Sequence, residues 1–465
     1  MELQCMGAAK TVTGSRHLLR ANGVQLLLDC GLFQDRESIK AGKNEHFGFN
    51  PRSIDAVILS HAHIDHSGAL PRLVKEGFRG PIYCTPATKD LCEIMLADSA
   101  RIQENDAYHR NKRRKLQGKN EILPLYDEDD VRETIQLMEA VDYNEWFVLV
   151  KGIKLQFTDA GHILGSAAVQ LEINENGSQK NFSFTGDIGR ATDVLLRSPQ
   201  PFPQADFILC ESTYGDRLHE KEIDPSAQLL KVVEDTCVKR LGKVYIPAFS
   251  LGRTQEIVYA LNNLKNQGLL PDVPVYVDSP LSTNATEIMR KHADNFNADV
   301  TRSLREDPDP FGFNGLVYIT DSQMSKALNS DETPCVIISA SGMMEAGRIK
   351  HHVRNGIEDP RNTILMVGYC APGSLGADIA EGKEEVRIFG HQYKVNAKVE
   401  VITSYSAHGD YHEMTEYLSC QDPTKVKQIF LVHGEPMTQL RFKDHLQKEG
   451  FQNVTIPEHG QVFRL

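Results

Sequence analysis

Histidine and aspartate crowd into one short stretch, Ser60-His61-Ala62-His63-Ile64-Asp65-His66-Ser67-Gly68, which sets four metal-binding side chains within six positions. Ahead of it runs Ala56-Val57-Ile58-Leu59, apolar enough to be a buried strand. Imidazoles at i and i+2 can converge on one ion from an extended loop, while Asp65 and His66 can turn to a second ion as the chain enters a helix. Imidazole with carboxylate suits zinc, or manganese and iron where oxygen ligands dominate. Surface histidines in a loop would be the bland explanation, but such spacing arises by chance on the order of once in a thousand chains of this length.

A dinuclear site needs more donors. Four stand after strand-like runs or in glycine turns: His162 in Asp159-Ala160-Gly161-His162, Asp187 in Thr185-Gly186-Asp187, His408 in Ala407-His408-Gly409-Asp410, and His433 in Leu431-Val432-His433-Gly434-Glu435. Singly, each would more often be a satisfied loop or core residue, and Gly-Asp is also ordinary turn chemistry. Together with the cluster they become candidate ligands. Two ions about 3.5 to 4 Å apart can bridge a hydroxide, lower its pKa and polarise a phosphate oxygen during in-line attack.

The elements that must position these groups are short apolar runs ending at polar or glycine-rich turns. Phe207-Ile208-Leu209, Val244-Tyr245-Ile246, Val275-Tyr276-Val277, Val336-Ile337-Ile338, Thr363 to Val367 and Ile429 to Val432 read as buried strands. Asp224-Pro225 reads as the capped start of an intervening helix. This pattern predicts an α/β chain with a mainly parallel sheet in its middle, where ligands gather beyond the strands' carboxyl ends. Before Pro199, the runs Val24 to Asp29, Ile153 to Thr158, Ala167 to Ile173 and Asn181 to Thr185 suggest a mixed or antiparallel sheet. Breaks near Pro199 to Gln204 and near Gly390 to Ala397 divide the chain into residues 1–206, 207–395 and 396–465.

Two glycine-bearing turns in the middle segment could hold phosphate. Phe249-Ser250-Leu251-Gly252-Arg253 leads into a helix, where backbone amides with Ser250 and Arg253 would make an anion site, and Ser339-Ala340-Ser341-Gly342 follows a strand. Gly368 to Gly376 is a third such loop. A tight turn needs glycine with or without a ligand, so these turns are weaker signals than the histidines.

The 465 residues carry 51 basic and 63 acidic side chains, net −12, which excludes grip on a polyanion through a globally basic surface. The one dense basic run, His109 to Lys115, could track a phosphate backbone or simply be a solvated helix face. Nine cysteines without a C-x-x-C pair suit reduced, mostly buried thiols. With no apolar run of membrane-spanning length and no secretory pattern at Met1 to Lys10, a cytoplasmic location is expected.

In its order of motifs, H-x-H-x-D-H, then His162 and Asp187, with Asp29 closing a strand ahead of them, the chain resembles the metallo-β-lactamase fold. The later motifs narrow the resemblance to the β-CASP nucleases: Glu211 in Cys210-Glu211-Ser212-Thr213 matches motif A, His408 motif B and His433 motif C. Among these it resembles the bacterial and archaeal relatives of the eukaryotic pre-mRNA 3′-end endonuclease. The resemblance implies an αββα sandwich with an inserted β-CASP domain and the active site in the cleft between them. It implies two zinc ions (manganese being acceptable to the same ligands), with His61, His63 and His162 on one, Asp65, His66 and His433 on the other, and Asp187 bridging. Glu211 and His408 would be catalytic beside Asp65, with His408, held by the Glu211 carboxylate, protonating the leaving oxygen. Ser250, Arg253, Ser341 and Gly342 match segments that line the RNA cleft.

A histidine at motif C goes with RNA in this family. The expected enzyme is therefore a zinc-dependent ribonuclease for single-stranded RNA, endonucleolytic and with room for a 5′-3′ exonucleolytic mode, in a family whose members often form homodimers. Two alternatives stay open: a metallo-hydrolase of a small-molecule ester or lactam, and a non-catalytic RNA-binding paralogue.

Overall fold

The computed structural model describes residues 1–219, 224–368, 370, 373–402 and 407–465. They form two compact units, Met1–Leu218 with His408–Leu465, and His219–Ala407.

The first unit is built on two seven-stranded sheets. One runs Val462–Arg464, Glu2–Cys5, His17–Ala21, Val24–Leu28, Ala56–Ile58, Ile82–Cys84 and Met138–Ala140, antiparallel at first and parallel from Val24–Leu28 onward. The other runs Val454–Thr455, Gln428–Leu431, Phe207–Cys210, Ser178–Phe184, Ala167–Glu175, Ile153–Asp159 and Phe147–Val150, parallel over its first four strands and antiparallel thereafter. Strand alternation decides what each face meets. Phe207 and Leu209 join Leu3, Leu19, Leu26, Leu28, Ile58, Phe157 and Phe430 in the core between the sheets. Ile208 and Cys210, pointing the other way, pack with Met414, Leu418, Phe442 and Leu446 of helices Tyr411–Leu418 and Pro436–Lys448. These layers fit the expected sandwich.

A 31-residue helix, Pro86–Leu116, starts behind the capping hydroxyl of Thr85, with proline in its first turn. The Thr85 and Thr88 hydroxyls both donate to the Gly165 carbonyl, at 2.7 and 2.8 Å, tying the helix start to the loop that carries His162.

The second unit holds a six-stranded sheet, Leu316–Tyr318, Val275–Val277, Val336–Ser339, Val244–Pro247, Thr363–Met366 and Lys398–Val401, with every pairing parallel. The mainly parallel middle sheet is therefore present, but its borders move. Strand Phe207–Cys210, expected to open the insertion at residue 207, pairs instead with Phe182–Phe184 and Gln428–Leu431 in the first unit. Strand Lys398–Val401, expected beyond residue 395 in the returning segment, pairs with Thr363–Met366 in the second. Both breaks fall later, after Leu218 and after Ala407. Of the third glycine-rich loop, residues 369, 371 and 372 lie outside the described residues.

Candidate metal centre

Every candidate ligand sits where a strand of the first unit ends. His61 and His63 follow Ala56–Ile58, and Asp65 and His66 begin the short helix Ile64–Ser67. His162 follows Ile153–Asp159, Asp187 follows Ser178–Phe184, and His433 follows Gln428–Leu431 with a left-handed φ of 53°.

The donors fall into two groups, His61, His63, His162 with Asp187, and Asp65, His66 with His433, whose donor atoms lie within 4.8 Å of one another in each set. Asp187 faces both. Its Oδ2 is 3.5 Å from His61 Nε2 and 3.5 Å from His162 Nε2, while Oδ1 is 3.3 Å from His66 Nε2. In the first group His63 Nδ1 lies 3.2 Å from both His61 Nε2 and His162 Nε2, and in the second His66 Nε2 and His433 Nε2 are 3.1 Å apart.

Hydroxyls and one carboxylate fix which nitrogen faces inward. Ser60 Oγ donates to Asp29 Oδ2 at 2.9 Å and so accepts from His61 Nδ1 at 3.0 Å, leaving the Nε2 lone pair for the centre. Thr213 Oγ1 donates to the His433 carbonyl at 3.1 Å and accepts from His433 Nδ1 at 2.9 Å, with the same result. His66 Nδ1 lies 2.6 Å from Asp29 Oδ2. Asp29, at φ 57°, also accepts from the Ser60 amide and the Ser15 hydroxyl.

Lone pairs converging at such distances repel, and the buried Asp187 Oδ1 accepts no hydrogen bond. A cation resolves both conflicts, so the residues fit metal ions. The electrostatics agree. Burial holds His61 well below the usual imidazole range and pushes His63 down to about 4, the neutral form a metal requires. Against its own burial, Asp187 is held well below the usual carboxylate range by His433, His66 and His61. Asp65 is likewise held low, against its own burial, by the neighbouring His433 and His66. Burial opposes a charge on His66, but Asp187 and Asp29 raise it well above the usual range, marking the spot where positive charge is wanted.

Beside the centre, His408 Nδ1 lies 3.1 Å from Glu211 Oε1, and its ring is 4.5 Å from that of His162. Glu211 is 1% exposed and accepts from the Ile188 amide at 2.6 Å and the Thr213 amide at 3.0 Å, while His408 is 21% exposed. Burial works against a charged His408, yet the Glu211 carboxylate outweighs it and raises the imidazole to about 9. This is a geometry for handing a proton outward.

All nine residues expected at the centre and its acid are thus brought together in one unit. Sequence reading missed the orienting partners Ser15, Ser60 and Thr213, and saw Asp29 only as a strand end. Ser60 and Thr213 do neighbour the motifs, but hydroxyls are too common in turns for that to signal a role.

The expected phosphate residues all lie in the second unit. Ser250 precedes helix Arg253–Asn266, whose N-cap, Gly252, has φ 79° and no side-chain cap. Ser341 and Gly342 follow the neighbouring strand Val336–Ser339, and the Ala248 amide donates to the Ser339 carbonyl, so the two turns adjoin. Arg253 departs from expectation: it is 8% exposed and its Nη1 donates to Glu256 at 2.7 Å, so it braces the helix start.

The chain matches three family models: a Metallo-beta-lactamase superfamily domain over residues 18–180, a Beta-Casp domain over 254–379, and a Zn-dependent metallo-hydrolase RNA specificity domain over 392–457. It is 36% identical over 461 residues to Ribonuclease TTHA0252 of Thermus thermophilus, covering 99% of each chain. An RNase J-like protein of Methanocaldococcus jannaschii is 32% identical over 94% of this chain and 93% of its own. A transcription termination factor FttA of Methanosarcina mazei is 31% identical over 94% of this chain and 67% of its own. A solved Enterococcus faecalis V583 protein of unknown function shares the fold, with a TM-score of 0.54 over 100% of this chain and 99% of that one at 12% identity.

Proposed function

We propose, from the premise that the chain belongs to the β-CASP family of metallo-β-lactamase-fold proteins, that it is a zinc-dependent ribonuclease hydrolysing phosphodiester bonds of single-stranded RNA. One observation carries this reading: Asp187 divides its two oxygens between two buried donor sets, and an imidazole paired to a carboxylate stands at their edge. His61, His63 and His162 would hold one zinc ion, Asp65, His66 and His433 a second, and Asp187 both. Ions bound there would supply nucleophile activation and charge neutralisation at a phosphodiester.

The protein's own groups do the rest. Asp29, Ser60 and Thr213 hold the imidazoles with the metal-facing nitrogen deprotonated. His408, with Nδ1 committed to Glu211, presents Nε2 to the leaving 3′ oxygen and gives it a proton. Ser250, Ser341 and Gly342 are assigned to RNA phosphates along the inserted domain, with Arg253 supporting that helix start.

The test is incubation of purified protein with internally and 5′-end-labelled single-stranded RNA, and with matched DNA, using Asp187→Ala as control. The expected result is metal-dependent RNA cleavage to 5′-phosphate and 3′-hydroxyl ends that the variant loses, with DNA spared. Product lengths then separate internal cuts from a 5′-3′ exonucleolytic mode. Two bound metals without cleavage of RNA would sink the proposal and move the weight to a hydrolase of a small-molecule ester or lactam, or to a non-catalytic RNA-binding paralogue.

A further inference from the structure

The far end of helix Pro86–Leu116 is unlike the rest of this acidic protein. Residues 107–119 hold Arg110, Lys112, Arg113, Arg114, Lys115 and Lys119 and no carboxylate, in a chain of net charge −12. The structure leaves Arg110, Lys112, Arg113 and Lys115 exposed, and none of the four makes an ion pair among the described residues. Helix polarity explains cations only within the last turn, whereas Arg110 and Lys112 come before it.

Two further observations point to a ligand. Tyr108 is 57% exposed on the same surface, one turn before Lys112, whose Nζ sits 4.3 Å over its ring. An exposed aromatic ring among cations is what a single-stranded nucleic acid uses, bases stacking while phosphates are neutralised. The surface is also held in shape. Asn111 bonds both the amide and the carbonyl of Ile122, and Arg114 Nε donates to the Asn120 carbonyl, folding the following loop with Lys119 against the helix end.

We propose that this helix end is an RNA exosite, a surface that grips a substrate strand remote from the bond being cut; the inference rests on the ribonuclease reading above. Thr88, at the helix start, touches the loop carrying His162, and Lys112 lies 24 residues further, roughly 36 Å at 1.5 Å per residue. A short oligonucleotide at the metal centre cannot reach it. A long one can.

The experiment replaces Arg110, Lys112, Arg113 and Lys115 together by glutamine, which keeps helix propensity and spares Arg114, the residue bracing the loop. Circular dichroism and zinc content establish that the variant is folded and loaded. Cleavage of a single-stranded hexanucleotide and of a forty-nucleotide RNA is then followed across a salt series. The expected outcome is unchanged kcat/KM on the hexanucleotide and a loss on the order of tenfold on the long RNA, with the salt slope of long-RNA binding reduced by up to about 3. Equal kcat/KM and equal salt slope on the long RNA would overturn the exosite. If the wild-type protein cleaves neither RNA, the ribonuclease reading fails on its own. Fluorescence anisotropy of the uncleaved forty-nucleotide RNA then tests the surface, and equal binding by wild type and variant would overturn it.

Discussion

Asp187 and His408 touch the same pocket of charge but differ in what they hold, and that difference is measurable. Asp187 shares its oxygens between both donor sets, so Asp187→Ala should lose bound metal and turnover together. His408 Nδ1 meets Glu211, and although it also gathers with Asp187 and Glu211 it belongs to neither proposed ligand set, so His408→Ala should slow RNA cleavage by about 10²- to 10⁴-fold with zinc content unchanged by atomic absorption. Metal loss in that variant would make His408 a ligand instead. The dyad also sets a pH dependence. A general acid must carry its proton, so activity due to His408 is lost as pH rises through its value of about 9. Glu211→Gln removes the charge that raises it and should move the alkaline limb of kcat down toward an ordinary imidazole, near ~6.5. An unmoved limb in the pH profile would separate that limb from the dyad.

Loops are placed by contacts too close for side chains. A Cβ built on Gly31 would lie 1.6 Å from the Asp65 carbonyl oxygen, because the Cys30 and Leu32 amides donate to the His66 and Ile64 carbonyls and draw the two turns together. Gly31→Ala must therefore push the Asp65–His66 turn away. We expect a stability loss of about 1–3 kcal/mol or more by denaturant unfolding, with weaker metal retention, although residue 31 has no side chain to ligate a metal. Such contacts mark the border of what was legible. His61, His63, Asp65 and His66 announce themselves because four donors at that spacing need a reason, and a strand ahead of them tells where they point. The pairing of Phe207–Cys210 with Gln428–Leu431 does not, since Phe-Ile-Leu-Cys would suit any buried strand and its partner lies more than 200 residues away. Lys398–Val401 has a nearer partner, Thr363–Met366, but its alternating Lys-Val-Glu-Val carries no mark of which sheet it joins. Arg253 shows a third case: its i,i+3 relation to Glu256 was in the sequence, but only the structure shows that the two side chains pair.

Each of the two units has its own hydrophobic core, Ile337, Ile364 and Val353 among the residues of the second and the inter-sheet cluster in the first. All proposed metal ligands belong to the first unit. Chelation should therefore lower the melting temperature of that unit selectively. At a free ion concentration 100 times Kd, each site contributes about 2.7 kcal/mol to the loaded protein. Scanning calorimetry with and without chelator reads this directly, and an unshifted transition would mean the folded state gains nothing from the ion.

The first unit is assembled from two stretches of chain separated by the insertion, and His408 and His433 belong to the second stretch. On a ribosome, the chain emerges with His61 to Asp187 already made while residues 219–407 are still to come. Until His408 is out Glu211 has no imidazole to hold, and until His433 is out and Gln428–Leu431 has docked beside Phe207–Cys210 one donor set lacks its third member. Order of synthesis thus leaves the proposed centre incomplete until His433, far beyond the insertion, has been made.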